Sequence, residues 1–351
     1  MGTCKLLKLL GDRPALEVAV ERLRLGGVAD ILVVTGFHGE RVRSTAASLG
    51  CRTVTNPAPE RGMLSSVQCG IAAAAPQADG IFLLPGDTPL VKPGTYQALA
   101  SRFDEGSELL VPSFGGRPGH PPVIGRRHFE GILGWEGPMG LKGYFDSLPT
   151  PPEVVPVADQ AILMDMDTPE DYEALLDYWR GEDCPNEAEC MELLELAGTP
   201  AAVREHGLAV ARVVRKLVLA LPREIEMRLD RLEAASLLHD VKKGVNPHQH
   251  VGADWLTVHG YPDLAPLVRS HHDLLPSEEN WESRLLYLAD KLTSGTRVVS
   301  LEDRLESMRE RFGGDPASLG AAESRLAKAA EILGEVERLA GKTRVEILGE
   351  P

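Results

Sequence analysis

The chain has 351 residues, 43% hydrophobic and 25% charged, the proportions of an ordinary globular protein long enough for two domains. Its formal net charge of −15 argues against binding duplex nucleic acid, which needs a cationic surface, but allows a nucleotide neutralised by Mg²⁺ and a few lysines. No stretch approaches the ~20 apolar residues that span a bilayer, and the N-terminal apolar run is too short for a signal peptide. Cys4, Cys51, Cys69, Cys184 and Cys190 form no CxxC pair, so a cytoplasmic protein with reduced thiols is expected.

Residues 1–180 alternate short apolar runs with helical patterns. Ile31–Thr35, Gly80–Leu84 and Glu108–Pro112 read as buried strands, with Ala15–Leu25 and Val67–Ala75 as helices between them. That alternation predicts a parallel-sheet α/β layer fold. In NPAPERGMLSSVQCGI, Gly62, Ser65 and Ser66 stand just before a helix, where backbone and hydroxyl donors can hold an anionic ligand. LPGDTPL ends a strand with Asp87, at the carboxyl edge where a Mg²⁺-binding carboxylate belongs. A proline-rich piece, Leu148–Pro156, precedes a last strand–helix unit. There Thr168 or Asp167 can cap the helix, with Pro169 at its first position and Glu170 and Asp171 near its positive end. Asp165 and Asp167 are alternative second metal carboxylates, weighed against a simple capping role.

After Arg180 the rhythm changes. GEDCPNE suits a short linker, and beyond it Cys190–Leu196, Ala201–Leu221, Arg228–His239, Trp255–His259, Leu264–His272 and Ser283–Thr293 have helical period. A last amphipathic helix is expected over Ala321–Ala340.

Seven of the ten histidines lie between residues 206 and 272. Leu232, Ala235 and His239 share one helix face, so His239 should point to the core, with Asp240 at the helix end. Asp290, within LLYLADKL, also falls on an apolar face. A carboxylate buried among leucines costs several kcal/mol unless a cation or strong hydrogen bonds meet it. A divalent metal shared with imidazoles is such a cation, and His plus Asp ligands suit Mn, Fe, Co or Zn.

The order His206, His239-Asp240, Asp290, carried by REHGLAVA, SLLHDVKKG and YLADKLTSG, resembles the signature of the HD superfamily of helical metal-dependent phosphohydrolases. The resemblance implies that these four residues hold metal and that Asp240 takes part in catalysis. NPHQHVGADWL resembles an element of the multi-metal members and implies His248 as a ligand, with His250 a substitute. His271 and His272 in SHHDL resemble the paired histidines of that subgroup, and Lys243 its phosphate-contacting lysine. His259 reads as a helix-end residue, and Gly260-Tyr261-Pro262 as coincidental with the loop that marks cyclic-dinucleotide phosphodiesterases.

The first half is similar to the molybdenum-cofactor nucleotidylyltransferases, in particular the branch serving molybdenum hydroxylases. GDTPL, the Gly62–Ser66 loop, DMDTPEDY and FGGRPGHPPVIG carry the resemblance in family order. It implies a three-layer Rossmann-like domain that takes Mg²⁺ with CTP or GTP, transfers the nucleotide to molybdopterin and releases pyrophosphate. It further implies Gly119 and His120 as substrate-binding residues, and Lys5, Gly62, Ser65, Ser66, Asp87, Asp165 and Asp167 as nucleotide-binding ones, with Asp87 a metal ligand. The family opens with a strand and a loop of the form LAAGxSxRMGxxK. Here Met1, Gly2 and Lys5 match its end and the rest is missing, so a groove in the sheet and little transfer from CTP are expected. An upstream start and a degenerate transferase both account for the missing loop.

Two domains are therefore expected: residues 1–180, and an all-α bundle over 181–351 with its core at about 186–300. The expected function is phosphohydrolase activity on a small phosphate ester or nucleotide, coupled to molybdenum-cofactor cytidylyl transfer. The alternative is a non-catalytic nucleotide-sensing module.

Overall fold

The computed structural model describes residues 4–37, 39–74, 78–274, 277, 280–312 and 314–349; Met1, Gly2 and Ala75, used in the readings above, lie outside these. The chain divides into two compact units, Met1–Gly181 and Glu182–Pro351. No helix among the described residues is long and apolar enough to cross a membrane.

The first unit opens with a small hairpin, β1 (Leu9–Leu10) and β2 (Arg13–Pro14), followed by α1 (Ala15–Leu25), β3 (Leu32–Thr35), α2 (Gly39–Ser48), β4 (Arg52–Thr55) and α3 (Met63–Ala74). Next come β5 (Gly80–Phe82), α4 (Pro93–Asp104), β6 (Leu109–Phe114), β7 (Arg117–Pro118) and β8 (Val123–Gly125). The unit closes with α5 (Phe129–Leu133), α6 (Gly140–Ser147), β9 (Glu153–Pro156) and α7 (Pro169–Arg180). β3 and β4 pair in parallel, Val33 opposite Thr53. The other sheet runs β5-β8-β6-β7, with β9 parallel to β6 and β8 antiparallel to both β5 and β6.

The sheet is thus mixed where a parallel one was expected. The difference lies in β8, which the prolines and glycines of GHPPVIG disguise as loop although all three of its residues are buried. β5 stops at Phe82 and is only half-buried along its length, because it borders a cleft of about 1660 Å³. Leu32 and Val34 of β3 line this cleft as well as Ile81 and Phe82 of β5. Leu10, Val18, Leu90, Met166 and Leu175 form a core that ties the hairpin and α1 to α7.

The second unit is helical: α8 (Glu187–Leu196), α9 (Ala201–Ala220), α10 (Leu229–Leu238), α11 (His248–Val258), α12 (Ala265–Ser270) and α13 (Trp281–Lys291). A two-residue hairpin, β10 (Thr293–Ser294) and β11 (Arg297–Val298), leads to α14 (Leu301–Phe312), α15 (Pro316–Ala340) and α16 (Arg344–Leu348). On α9 the valines at 210, 213 and 214 and Leu217 repeat at helical spacing and are buried. α10 buries Leu232, Ala235 and Leu238 in the same manner.

Several elements depart from expectation, among them the β10–β11 hairpin and α16, which were not expected, and α8, which starts at Glu187 instead of Cys190. α11 begins at His248, seven residues before the expected Trp255, directly after Pro247. α14 was not expected, since only Leu301 of that charged helix is buried and it offers little apolar period. α15 starts earlier than Ala321 because Asp315 accepts from the backbone N–H groups of Ala317 and Ser318 and caps it.

Candidate metal centre and nucleotide cleft

Five helices bring the histidine–aspartate set together. His206 comes from the first half of α9, His239 and Asp240 from the end of α10, His248 from the first position of α11, and His271 from the end of α12. Asp290 comes from the last turn of α13. α9 and α10 approach so closely that a Cβ on Gly207 would meet the Leu237 carbonyl oxygen at 2.7 Å. That approach draws His206 toward His239, with ring centroids 5.3 Å apart.

Three of the histidines are oriented by backbone. Nδ1 of His206 lies 2.9 Å from the Gly295 carbonyl oxygen, Nδ1 of His239 2.7 Å from that of Ser236, and Nδ1 of His271 2.6 Å from that of Val268. Each carbonyl accepts the Nδ1 proton and leaves the Nε2 lone pair for the interior.

Those Nε2 atoms converge on two carboxylates. His206 Nε2 is 3.1 Å and His239 Nε2 3.7 Å from Asp290 Oδ1. His239 Nε2 is 3.5 Å from Asp240 Oδ2. On the other oxygen, Oδ1, His248 Nε2 stands at 3.1 Å and His271 Nε2 at 3.5 Å. Two trios with metal-ligand spacing result, His206/His239/Asp240 and Asp240/His248/His271, sharing Asp240. His239 Nε2 and Asp240 Oδ1 are buried yet have no hydrogen-bond partner among the described residues. Such orphaned atoms are costly, and a cation between them removes the cost, so the residues present fit a divalent metal.

The charge states agree. Burial raises the Asp240 carboxyl, but the surrounding imidazoles, His239 foremost, outweigh it and hold Asp240 far below the usual carboxylate range. Asp290 is likewise held well below it, burial being outweighed by Lys291 and His206. Burial depresses His271 to about 4. Burial works against a charged His239, but Asp240 and Asp290 outweigh it and raise its pKa. At neutral pH the site therefore offers two carboxylates and the neutral His271, and a metal would take the place of the proton these carboxylates favour on His239.

Other expected residues fall around this centre. Lys243, half-exposed, donates from Nζ to Asp240 Oδ2 at 2.8 Å. His272 belongs to neither trio; its ring is 5.7 Å from that of His248, and its Nδ1 is 2.8 Å from Asp273 Oδ2. His250 is exposed, so it does not take the place of His248. His259 stacks on Trp255 at 3.8 Å at the end of α11, apart from the site. Sequence reading missed Lys291. Buried beside Asp290, it donates to Asp290 Oδ2 at 2.7 Å and to the His271 carbonyl oxygen at 3.1 Å. A lysine inside an otherwise apolar helix face was the available signal.

In the first unit, Lys5, Ser66, Asp87, Gly119, His120 and Asp165 line the cleft. The Lys5 ammonium bridges Asp87, at 3.0 Å, and Asp167. Burial works against its charge, but the two carboxylates raise its pKa overall. Asp165 Oδ1 accepts from the Asp167 backbone N–H at 3.1 Å, and the helix cap is Thr168. At Gly119 a Cβ would meet the Ile162 carbonyl oxygen at 2.4 Å, so only glycine permits this close backbone approach. Burial lowers the pKa of His120, favouring the neutral ring.

Gly62 and Ser65 are not in the cleft lining. The Ser65 hydroxyl accepts from Asn56 Nδ2 at 2.8 Å and donates to the Gly62 carbonyl oxygen at 2.7 Å, so it closes the loop from inside. Asn56, missed in the sequence, also reaches Ser66 Oγ at 3.0 Å and thereby positions the cleft serine.

Comparison with known proteins follows the same division. A MobA-like NTP transferase domain model matches residues 1–151, and an HD domain model matches residues 203–308. The chain thus joins a MobA-like NTP transferase domain to an HD domain. Among relatives, "Bifunctional protein GlmU" of Maricaulis maris is 32% identical over 124 residues, 35% of this chain and 27% of its own length. The GlmU protein of Rhizorhabdus wittichii is 34% identical over 125 residues, 35% of this chain and 27% of its own. The chain spans about a quarter of the length of these relatives. Among solved structures, Rv0371c from Mycobacterium tuberculosis is similar at 26% identity and TM-score 0.44, over 50% of this chain and 90% of that one. A nucleotidyl transferase from Methanothermobacter aligns at 22% identity and TM-score 0.43, over 51% and 86%.

Proposed function

We propose that the two units act as separate domains in one cytoplasmic protein, and that the second hydrolyses a small phosphate ester or nucleotide at a centre of two divalent ions. The observation that carries this reading is Asp240, whose two buried oxygens face different sets of imidazole nitrogens, with Oδ1 and His239 Nε2 left without hydrogen bonds. A bridging carboxylate has that arrangement. His206, His239, Asp240 and Asp290 would hold one ion, and Asp240, His248 and His271, with His272 nearby, the other. Divalent ions so bound would lower the pKa of a ligated water to about 7 and polarise the phosphoryl oxygens. Lys243, half in solvent beside Asp240, is placed to contact a phosphoryl oxygen of the ester. Water adds its oxygen to phosphorus as the P–O ester bond breaks, and the alcohol leaves with a proton. Imidazole and carboxylate donors accept Mn, Fe, Co or Zn.

Elemental analysis of protein purified without chelator should find about two transition-metal ions per chain for a two-ion centre. Asp240→Ala should lose both ions and lower phosphatase turnover by about a hundredfold or more, since even outer partners of a ligand cost ten- to a hundredfold. Unchanged turnover in a folded Asp240→Ala protein would remove the hydrolase reading.

For the first domain the proposed activity is nucleotidyl transfer in molybdenum-cofactor maturation. CTP or GTP with Mg²⁺ would lie at Lys5, Ser66, Asp87 and Asp165, and molybdopterin near Gly119 and His120. A second reading, a nucleotide-sensing module, is favoured by Lys5: its ammonium already neutralises Asp87 and Asp167, the carboxylates a Mg²⁺ would need. Pyrophosphate release from CTP plus molybdopterin, measured together with CTP binding, decides between them. Robust release supports transfer, CTP bound without release supports sensing, and neither binding nor release removes both readings.

A further inference from the structure

We infer that Asp273, clamped by Arg325 of the C-terminal helix α15, is a positioning residue that holds His272 with its Nε2 lone pair free for the second metal position. This rests on the two-ion reading above, but it concerns residues outside both trios.

The histidines of the centre are not all oriented alike. His206, His239 and His271 are held by backbone carbonyls of their own helix or of the β10–β11 turn. His272 instead has its Nδ1 2.8 Å from a carboxylate oxygen, Asp273 Oδ2. That carboxylate is an acceptor only, because Arg325 engages it through both oxygens: Nε to Oδ1 at 2.6 Å and Nη2 to Oδ2 at 3.2 Å. Nδ1 must then be the donor, and the ring presents a bare Nε2. The ring lies next to the second trio, 5.7 Å from His248 and 6.3 Å from His271 between centroids. A carboxylate holding one nitrogen of a histidine so that the other can ligate is a general way of tuning metal affinity.

The clamp is anchored independently. Tyr287 Oη donates to the Arg325 carbonyl oxygen at 2.9 Å, fixing α15 against α13, the helix that carries Asp290. Arg284 of α13 also pairs with Glu335 of α15. Arg325 lies beyond residues 203–308, the span of the HD model, so α15 adds to the site from outside the matched domain. His272 is about one-third exposed, so its orientation depends on this pair rather than on packing.

Two readouts on the full chain test the inference. In the metal-free protein, ¹⁵N-resolved imidazole spectra should show the proton of His272 on Nδ1, and Asp273→Ala should shift it toward Nε2. In Mn²⁺ titrations followed by the free-ion EPR signal, Asp273→Ala should weaken one of two sites about ten- to a hundredfold and leave the other alone. Asp273→Glu should recover part of that loss, and Arg325→Ala should lose less than Asp273→Ala. Adding Asp273→Ala to His272→Ala should cost nothing more. An unmoved tautomer, or both ions bound by Asp273→Ala with wild-type affinity, overturns the inference. A wild-type chain that binds no Mn²⁺ while the tautomer still shifts removes the metal role for both proposals but keeps Asp273 as the residue that orients His272. Asp273 and Arg325 are partly exposed, so the variants should fold, and circular dichroism checks it.

Discussion

His239 shows how much a single position can decide. It is 1% exposed, its Nδ1 is committed to Ser236, and its Nε2 has no hydrogen-bond partner among the described residues. The sequence placed it on the apolar face of its helix beside Leu232 and Ala235, and that part was readable because helical period maps position to face. What could not be read was Gly207, one residue after His206, whose missing side chain lets α9 touch α10 at the Leu237 carbonyl. Gly207→Ala should therefore cost about 1–3 kcal/mol by overpacking and also weaken metal binding by moving His206. A wild-type urea midpoint for that variant would show that the crossing tolerates a methyl group. Lys291 was equally illegible as a partner of His271, since the contact joins residues 20 apart on different helices.

At the scale of elements, caps and periods carried most of the information. The sequence offered Thr168 or Asp167 as the start of α7, and the structure selects Thr168. Its hydroxyl accepts from the Asp171 N–H, while Asp171 accepts in return from the Thr168 N–H and hydroxyl. Thr168→Ala should lower the stability of the first unit by about 1 kcal/mol in urea unfolding near neutral pH. The bonds from Thr168 hold the Asp171 carboxyl below its ordinary range. Its contribution is therefore full above the unfolded carboxyl pKa and fades as pH falls through the lower folded value. The difference between wild type and Thr168→Ala should shrink in acid; one that grows would contradict this assignment. Elements without such signals were missed: β8 hides among prolines, and α14 is polar nearly all round.

For the molecule as a whole, the two units have separate cores, and the candidate centre lies wholly within Glu182–Pro351. Ions that bind only the folded form should stabilise that unit by RT ln(1 + [L]/Kd), about 2.7 kcal/mol at a hundred times Kd. Hydrogen exchange with and without Mn²⁺ should show the gain concentrated in α9–α13. Equal protection throughout Met1–Gly181 would place a tight Mn²⁺ site in the nucleotide cleft as well. Lowering the pH should release the ions, because protons compete for the imidazole nitrogens.

The sequence by itself determined the division into an α/β half and a helical half, and the residue types of the centre. Both follow from local facts, hydrophobic period and the chemistry of histidine and aspartate. Only the tertiary structure decided that Asp240 faces two sets of imidazoles and that Ser65 closes a loop while Ser66 lines the cleft. It also decided that Arg325 reaches Asp273 across 52 residues. These depend on where separate helices and loops meet, and packing between distant segments leaves no periodic trace in either one.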